Sequence, residues 1–126
     1  MTINLTLSGR PITKKNHTRR TKTGAQIQSA AYLRYESDCL WQIPGSVRLH
    51  INKPCNVRCL YYMTIDYANS KAVIDLVGLL QGTLDILVQA GVLADDNCRI
   101  VASHDGSRVM YDKVRPRVEI KIEEVE

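Results

Sequence analysis

The chain has 126 residues, 44% of them hydrophobic and 24% charged, which suits one globular domain over residues 1–126. No apolar stretch approaches the ~20 residues needed to cross a bilayer, and the opening MTINLTLSGRP lacks the basic-then-apolar layout of a secretory signal, so a cytoplasmic protein is expected. The net charge is +4, with Arg10, Lys14, Lys15, Arg19, Arg20 and Lys22 in one acid-free stretch and Arg108, Lys113, Arg115 and Arg117 in another. Such clusters attract polyanions, of which nucleic acid is the commonest inside cells.

In chain order, TINLTLSG sets Ile3, Leu5 and Leu7 against Thr2, Asn4 and Thr6, the alternation of a half-buried strand. The basic, polar stretch from Arg10 to Gln26 reads as a long loop, a length that usually carries function or disorder. SAAYLRYESDCLWQI, from Ser29 to Ile43, predicts a helix with Ser29 as N-cap and a stripe of Ala31, Leu33, Tyr35, Leu40 and Trp41, stopped by Pro44 and Gly45. SVRLHINKP alternates Val47, Leu49 and Ile51 against Arg48, His50 and Asn52, and VRCLYYMTID is rich in strand formers. Together they predict two strands joined as a hairpin through NKPCN.

A second helix follows over DLVGLLQGTLDILVQAG, from Asp75 to Gly91, with Leu76, Leu80, Leu84, Leu87 and Val88 on one face and Gly91 as its terminator. Gly78 and Gly82, four apart, leave a smooth stripe where another backbone could approach, and so mark a candidate dimer contact. RIVASHD and RVEIKIEEV are further strands, and DGSR is a turn. The order β-α-β-β-α-β-β predicts an α+β fold with a single mixed β-sheet and two helices.

The four cysteines, Cys39, Cys55, Cys59 and Cys98, include no C-x-x-C pair and read as reduced, partly buried thiols rather than a zinc site. His17, His50 and His104 are scattered, and Tyr61, Tyr62 and Tyr67 are expected to pack rather than stack on bases.

The acids are more informative. Asp75 opens the second helix, and the adjacent Asp95 and Asp96 follow its end. That helix is about 22 Å long at ~1.5 Å per residue. A chain reversing at Gly91 could travel back about 17–20 Å at ~3.3 Å per residue, bringing Asp96 toward Asp75. Two or three carboxylates in one place would be held by a hard divalent cation; otherwise Asp95-Asp96 is a solvated turn. Asp66, at a strand end, is a weaker candidate ligand.

The stretch DLVGLLQGTLDILVQAGVLADDNCRIV resembles the core motif of the RusA family of Holliday junction resolvases: D-x-[D/T]-N, then a helix with L-D-x-L, then A-G-x-x-x-D-D. SGRPITKKNHTRR is similar to that family's opening strand and basic, Asn-containing loop. The resemblance implies a homodimeric crossover junction endodeoxyribonuclease, dependent on Mg2+ (or Mn2+), that cuts four-way DNA junctions in recombination and repair; many members are encoded by prophages. It implies Asp75, Asp96 and the neighbouring Asp95 as catalytic and metal-binding residues. DNA contacts would come from Lys14, Lys15, Asn16, Arg19 and Arg20, with Lys113 and Arg115. Asp85 falls on the L-D-x-L of the motif and would serve the dimer. Val77, Gly78 and Gln81 depart from it, standing where the family has an aspartate or threonine, an asparagine and in some members a lysine. Those departures leave open a catalytically weak or inactive branched-DNA-binding protein of the same fold.

Overall fold

A computed structural model describes residues 1–13, 18–20, 24 and 26–125. Its main body is one mixed sheet of five strands: β1 (Thr2–Ser8), β4 (Cys55–Met63), β5 (Val101–Ser103), β6 (Arg108–Tyr111) and β7 (Arg117–Glu124). Two helices, α1 (Ala30–Gln42) and α2 (Leu76–Gln89), and a two-stranded ribbon of β2 (Thr18–Arg20) and β3 (Gln26–Gln28) complete it. The α+β fold is the expected one.

β7 lies at the centre, antiparallel to both β1 and β4, with Ile120 opposite Leu5 on one side and Cys59 on the other. Beyond β4, the chain from Val101 to Tyr111 runs parallel to it in two pieces: β5 beside Cys55–Asn56 and β6 beside Leu60–Met63. Period-two burial in β1, β4 and β7 turns Leu7, Val57, Tyr61, Ile120 and Ile122 toward one core, which α1 and α2 supply with Tyr32, Cys39, Leu79, Ile86 and Leu87. Tyr61 of β4 and Thr83 of α2 share a buried 2.6 Å hydrogen bond that fixes helix against sheet.

The helix ends follow the expected chemistry. Ser29 accepts the Tyr32 N–H at 3.2 Å and Asp75 accepts the Val77 N–H at 3.1 Å. Gly91, at φ +76°, closes α2 with its N–H on the Val88 carbonyl while the Val92 N–H reaches the Leu87 carbonyl. A side chain at Gly91 would meet the His50 ring at 2.8 Å.

Several expectations need correction. Residues 46–54 form no hairpin with β4. Gly45–Val47 is a 3-10 turn, His50 sits at φ +49°, and only Ile51 makes a bridge, parallel to Leu93. Positive φ at His50 breaks the extended path that the alternation suggested. The stretch 10–26 holds the first strand of a ribbon, and β6 is an additional strand. α1 buries Tyr32, Tyr35 and Cys39, while Leu33 and Trp41 face solvent. The Gly78–Gly82 stripe is occupied by the chain itself: a Cβ at Gly78 would meet Thr13 at 3.3 Å, and one at Gly82 the Tyr32 hydroxyl at 3.3 Å.

Candidate active site

The two ends of β4 divide the candidate residues. At its C-terminal end, Met63 and Ile74 line a cleft of about 340 Å³ together with Arg10, Ile12, Thr13 and Tyr67. Asp75 follows Ile74 directly and caps α2 there, half-buried, with one carboxylate oxygen held by the Val77 N–H. Val77 and Gln81, four apart, are exposed on the first half of α2, whereas Gly78 is buried against Thr13.

Sheet register brings cations to this same end. The Asp112 N–H donates to the Met63 carbonyl at 2.8 Å, so the turn from β6 to β7, with exposed Lys113 and Arg115, sits beside the end of β4. Gly9 donates to the Pro116 carbonyl at 3.1 Å, which adds exposed Arg10 and the start of the basic stretch. Asp112 organises the turn. Its carboxylate accepts the Val114 and Arg115 N–H groups and pairs with Arg117 at 2.8 Å. The Val114 N–H, then Arg117, hold the Asp112 carboxyl down at about 2. Arg117 also pairs with Glu119 and lies 3.8 Å over the Tyr62 ring, so its charge is spent within the fold. Arg19 and Arg20 belong to β2; Lys14, Lys15, Asn16 and His17 lie outside the described residues.

Asp95 and Asp96 are at the opposite end of β4. The Ala94 N–H donates to the Ile51 carbonyl, Asn97 accepts from Ile100 and Val101, and Cys55, the first residue of β4, donates to the Ile100 carbonyl. Nine residues of strand separate this end from Met63, about 26 Å at ~3.3 Å per residue. The chain therefore does not return along α2 as the length arithmetic allowed. Bridged to Ile51, it turns into β5 instead. Both oxygens of Asp95 serve the local turn, one accepting the Asp96 N–H at 2.7 Å and the other the Asn97 amide at 3.1 Å. Those bonds, the Asp96 N–H first, lower its pKa. Asp96 is exposed.

Other candidates have structural duties. Asp66 caps the turn at Tyr67–Asn69 through both oxygens. His104 is bonded through Nδ1 to the Val57 carbonyl, and Tyr61 is in the core. Cys39, Cys55 and Cys59 are buried free thiols, with burial pushing Cys59 up to about 12. Among the described residues, no three His, Cys, Asp or Glu side chains gather closely enough to hold a metal ion.

Comparison with known families matches residues 8–123 to Endodeoxyribonuclease RusA. The chain belongs to the RusA endodeoxyribonuclease family. RusA nucleases are of the Holliday junction resolvase type; they act on branched DNA and generally depend on a divalent metal. A search of curated proteins finds no match. Among the described residues, no helix of this RusA chain is long and apolar enough to cross a membrane. Arg10 was legible as part of the basic stretch and Tyr67 as a packing aromatic, but their shared place with Ile74 in one cleft was not, because only the tertiary fold sets them together.

The residues also permit a test of fit to a divalent cation. Asp75 offers hard oxygen, but the positive end of the α2 dipole opposes a cation there. Asp75 would be one ligand of such an ion, with waters and substrate phosphate able to fill further positions.

Proposed function

We propose that this chain is a homodimeric, structure-specific DNA endonuclease that resolves Holliday junctions by Mg2+- or Mn2+-dependent hydrolysis in DNA recombination and repair. The observation that carries this reading is Asp75, next in the chain to Ile74 of the cleft wall and at the same sheet end as Arg10, Lys113 and Arg115, within a chain matched to the RusA family over residues 8–123. An acid beside a cationic rim suits a phosphodiester, whose charge the rim attracts and whose hydrolysis a carboxylate-held ion assists.

Asp75 of one copy and Asp96 of a second would hold the ion, with Asp95 shaping the turn that presents Asp96. An antiparallel, two-fold pairing brings the β4 C-terminal end of each copy to the N-terminal end of the other, so both sites form together. When bound, a divalent cation supplies Lewis acidity and neutralises charge on the reacting phosphate. The protein's own part is positional. Arg10, Lys113 and Arg115 grip the backbone, and Lys14, Lys15, Asn16, Arg19 and Arg20 extend that grip along the arms. Such contacts orient the DNA without reading its sequence and weaken steeply with salt.

A second reading has its own support: Val77, 71% exposed on the face beside Asp75, brings no ligand where the family often has one. On that reading the chain binds branched DNA and cuts it poorly or not at all.

Incubating a synthetic four-way junction with Mg2+ or Mn2+ separates the two. Paired, symmetric cuts that fall by roughly 100-fold or more in Asp75→Asn, with junction binding retained, support the nuclease. Tight binding without cutting at any protein concentration supports the second reading. Equal, salt-insensitive affinity for branched and linear duplexes would overturn both and leave a basic protein-interaction module.

A further inference from the structure

The cleft next to Ile74 is larger than phosphate chemistry requires, and its lining is mixed, polar at Arg10 and Thr13 and apolar elsewhere. Its volume of about 340 Å³ lies within the ~300–1,000 Å³ typical of small-molecule sites. Ile12, Met63 and Ile74 line it with hydrocarbon, Tyr67 supplies an aromatic ring, and exposed Arg10 borders it. Phosphate would use Arg10 and leave the hydrocarbon walls and the ring unused. A flat heterocycle with polar edges is well served: its faces suit Tyr67 and the aliphatic side chains, and its edge or adjoining phosphate suits Arg10.

We propose that this cleft receives one unstacked nucleobase from the branch point of the bound DNA. The inference rests on the junction-binding reading above and names what that site takes in addition to the phosphate. Location supports it, since Ile74 of the cleft wall is the residue before Asp75, so a base seated there would lie on the same side of the molecule as the carboxylate. Energetics supports it as well. Extracting a base is costly in a continuous duplex and least so where stacking is already interrupted, as at a junction centre. A base held by its faces is accepted whatever its identity, so the cleft selects for the branch and only weakly for sequence.

The test is equilibrium binding in EDTA. It compares an intact junction, a linear duplex, and four junctions that each lack one branch-point base. Two variants alter the cleft in different ways: Ala31 of α1 also lines it, so Ala31→Met fills it, and Tyr67→Ala removes the ring. Thermal melts check that each is folded. Wild type is expected to bind at least one of the abasic junctions roughly ten-fold more weakly than the intact one. Ala31→Met and Tyr67→Ala are expected to lose about the same affinity for the intact junction and to be indifferent to the missing base. Tyr67→Phe is expected to retain the discrimination. The non-additive pattern is the signature of a base in contact with the altered wall. If wild type prefers the junction to the duplex but ignores every missing base, or if both variants discriminate as wild type does, the cleft takes no base and only this inference falls. If wild type shows no preference for the junction, the junction-binding reading falls and this inference with it.

Discussion

Two residues beside Asp75, Val77 and Gly78, separate what can be restored from what cannot. Val77 is at the second position of α2, 71% exposed, so replacing it sacrifices little packing. An aspartate there would add a hard ligand and favour the helix N-terminus electrostatically. Gly78 is different. It is buried, and a Cβ would meet Thr13 Cβ at 3.3 Å, with Thr13 itself only 4% exposed and unable to withdraw freely. Val77→Asp is therefore expected to raise the initial rate of junction cleavage in Mg2+ roughly ten-fold, about 1.4 kcal/mol off the barrier. Gly78→Asn is expected instead to lower stability by about 1–3 kcal/mol through overpacking, read as a lower urea midpoint with no gain in rate. An equal or lower rate in Val77→Asp would mean that position does not face the ion.

Among elements, the turn between β6 and β7 carries two of the proposed DNA contacts, and Asp112 is what shapes it. The native carboxyl is held near 2 against an ordinary 3.8. A depressed acid stabilises the fold fully above its unfolded value, and that contribution is lost as pH falls through the folded one. Asp112→Asn retains an oxygen for the Val114 and Arg115 N–H groups but removes the charge facing Arg117. Its urea midpoint should lie below that of wild type above about pH 4, and the gap should close toward pH 2. A gap independent of pH would put the stabilisation in turn geometry rather than charge. The same elements show how far the sequence could be read. β1, β7 and α2 were legible because each repeats its own period over seven or more residues and is stopped by local chemistry, as at Gly91. The stretch 46–54 was not, since its alternation fits a strand while its course depends on a bridge from Ile51 to Leu93, more than forty positions away. β5 falls within the expected RIVASHD strand, whereas β6 was hard to see because a strand of four residues at a sheet edge carries little periodicity. Within the site, Asp75 was legible as a helix cap. The place of Asp95 and Asp96 was not, because it is decided by which way the chain turns after Leu93.

At the scale of the whole molecule, the separation of Asp75 from Asp96 becomes a statement about assembly. Each chain has an acid-and-cation end and an Asp95–Asp96 end, joined by the length of β4, so on the proposed reading a lone copy would have half of each metal site. The proposed two-fold pairing would yield two sites per dimer, matched to the two strands a symmetric junction presents for cutting. The arrangement predicts complementation. Asp75→Asn and Asp96→Asn are each expected to be inactive alone. In a mixed dimer, one site combines both substitutions and is dead, while the other combines the intact Asp75 of one copy with the intact Asp96 of its partner. Unfolding and refolding the two variants together should therefore restore single-strand nicking of a four-way junction to about a quarter of the wild-type site number, since half the dimers are mixed and each has one of two sites. Paired cutting within one dimer should not return. Gel resolution of nicked from fully resolved junctions distinguishes these products. No recovery on mixing, with mixed dimers verified by a tag on one variant, would place each site within a single chain and would require Asp75 to find its partner acids at its own end of the sheet.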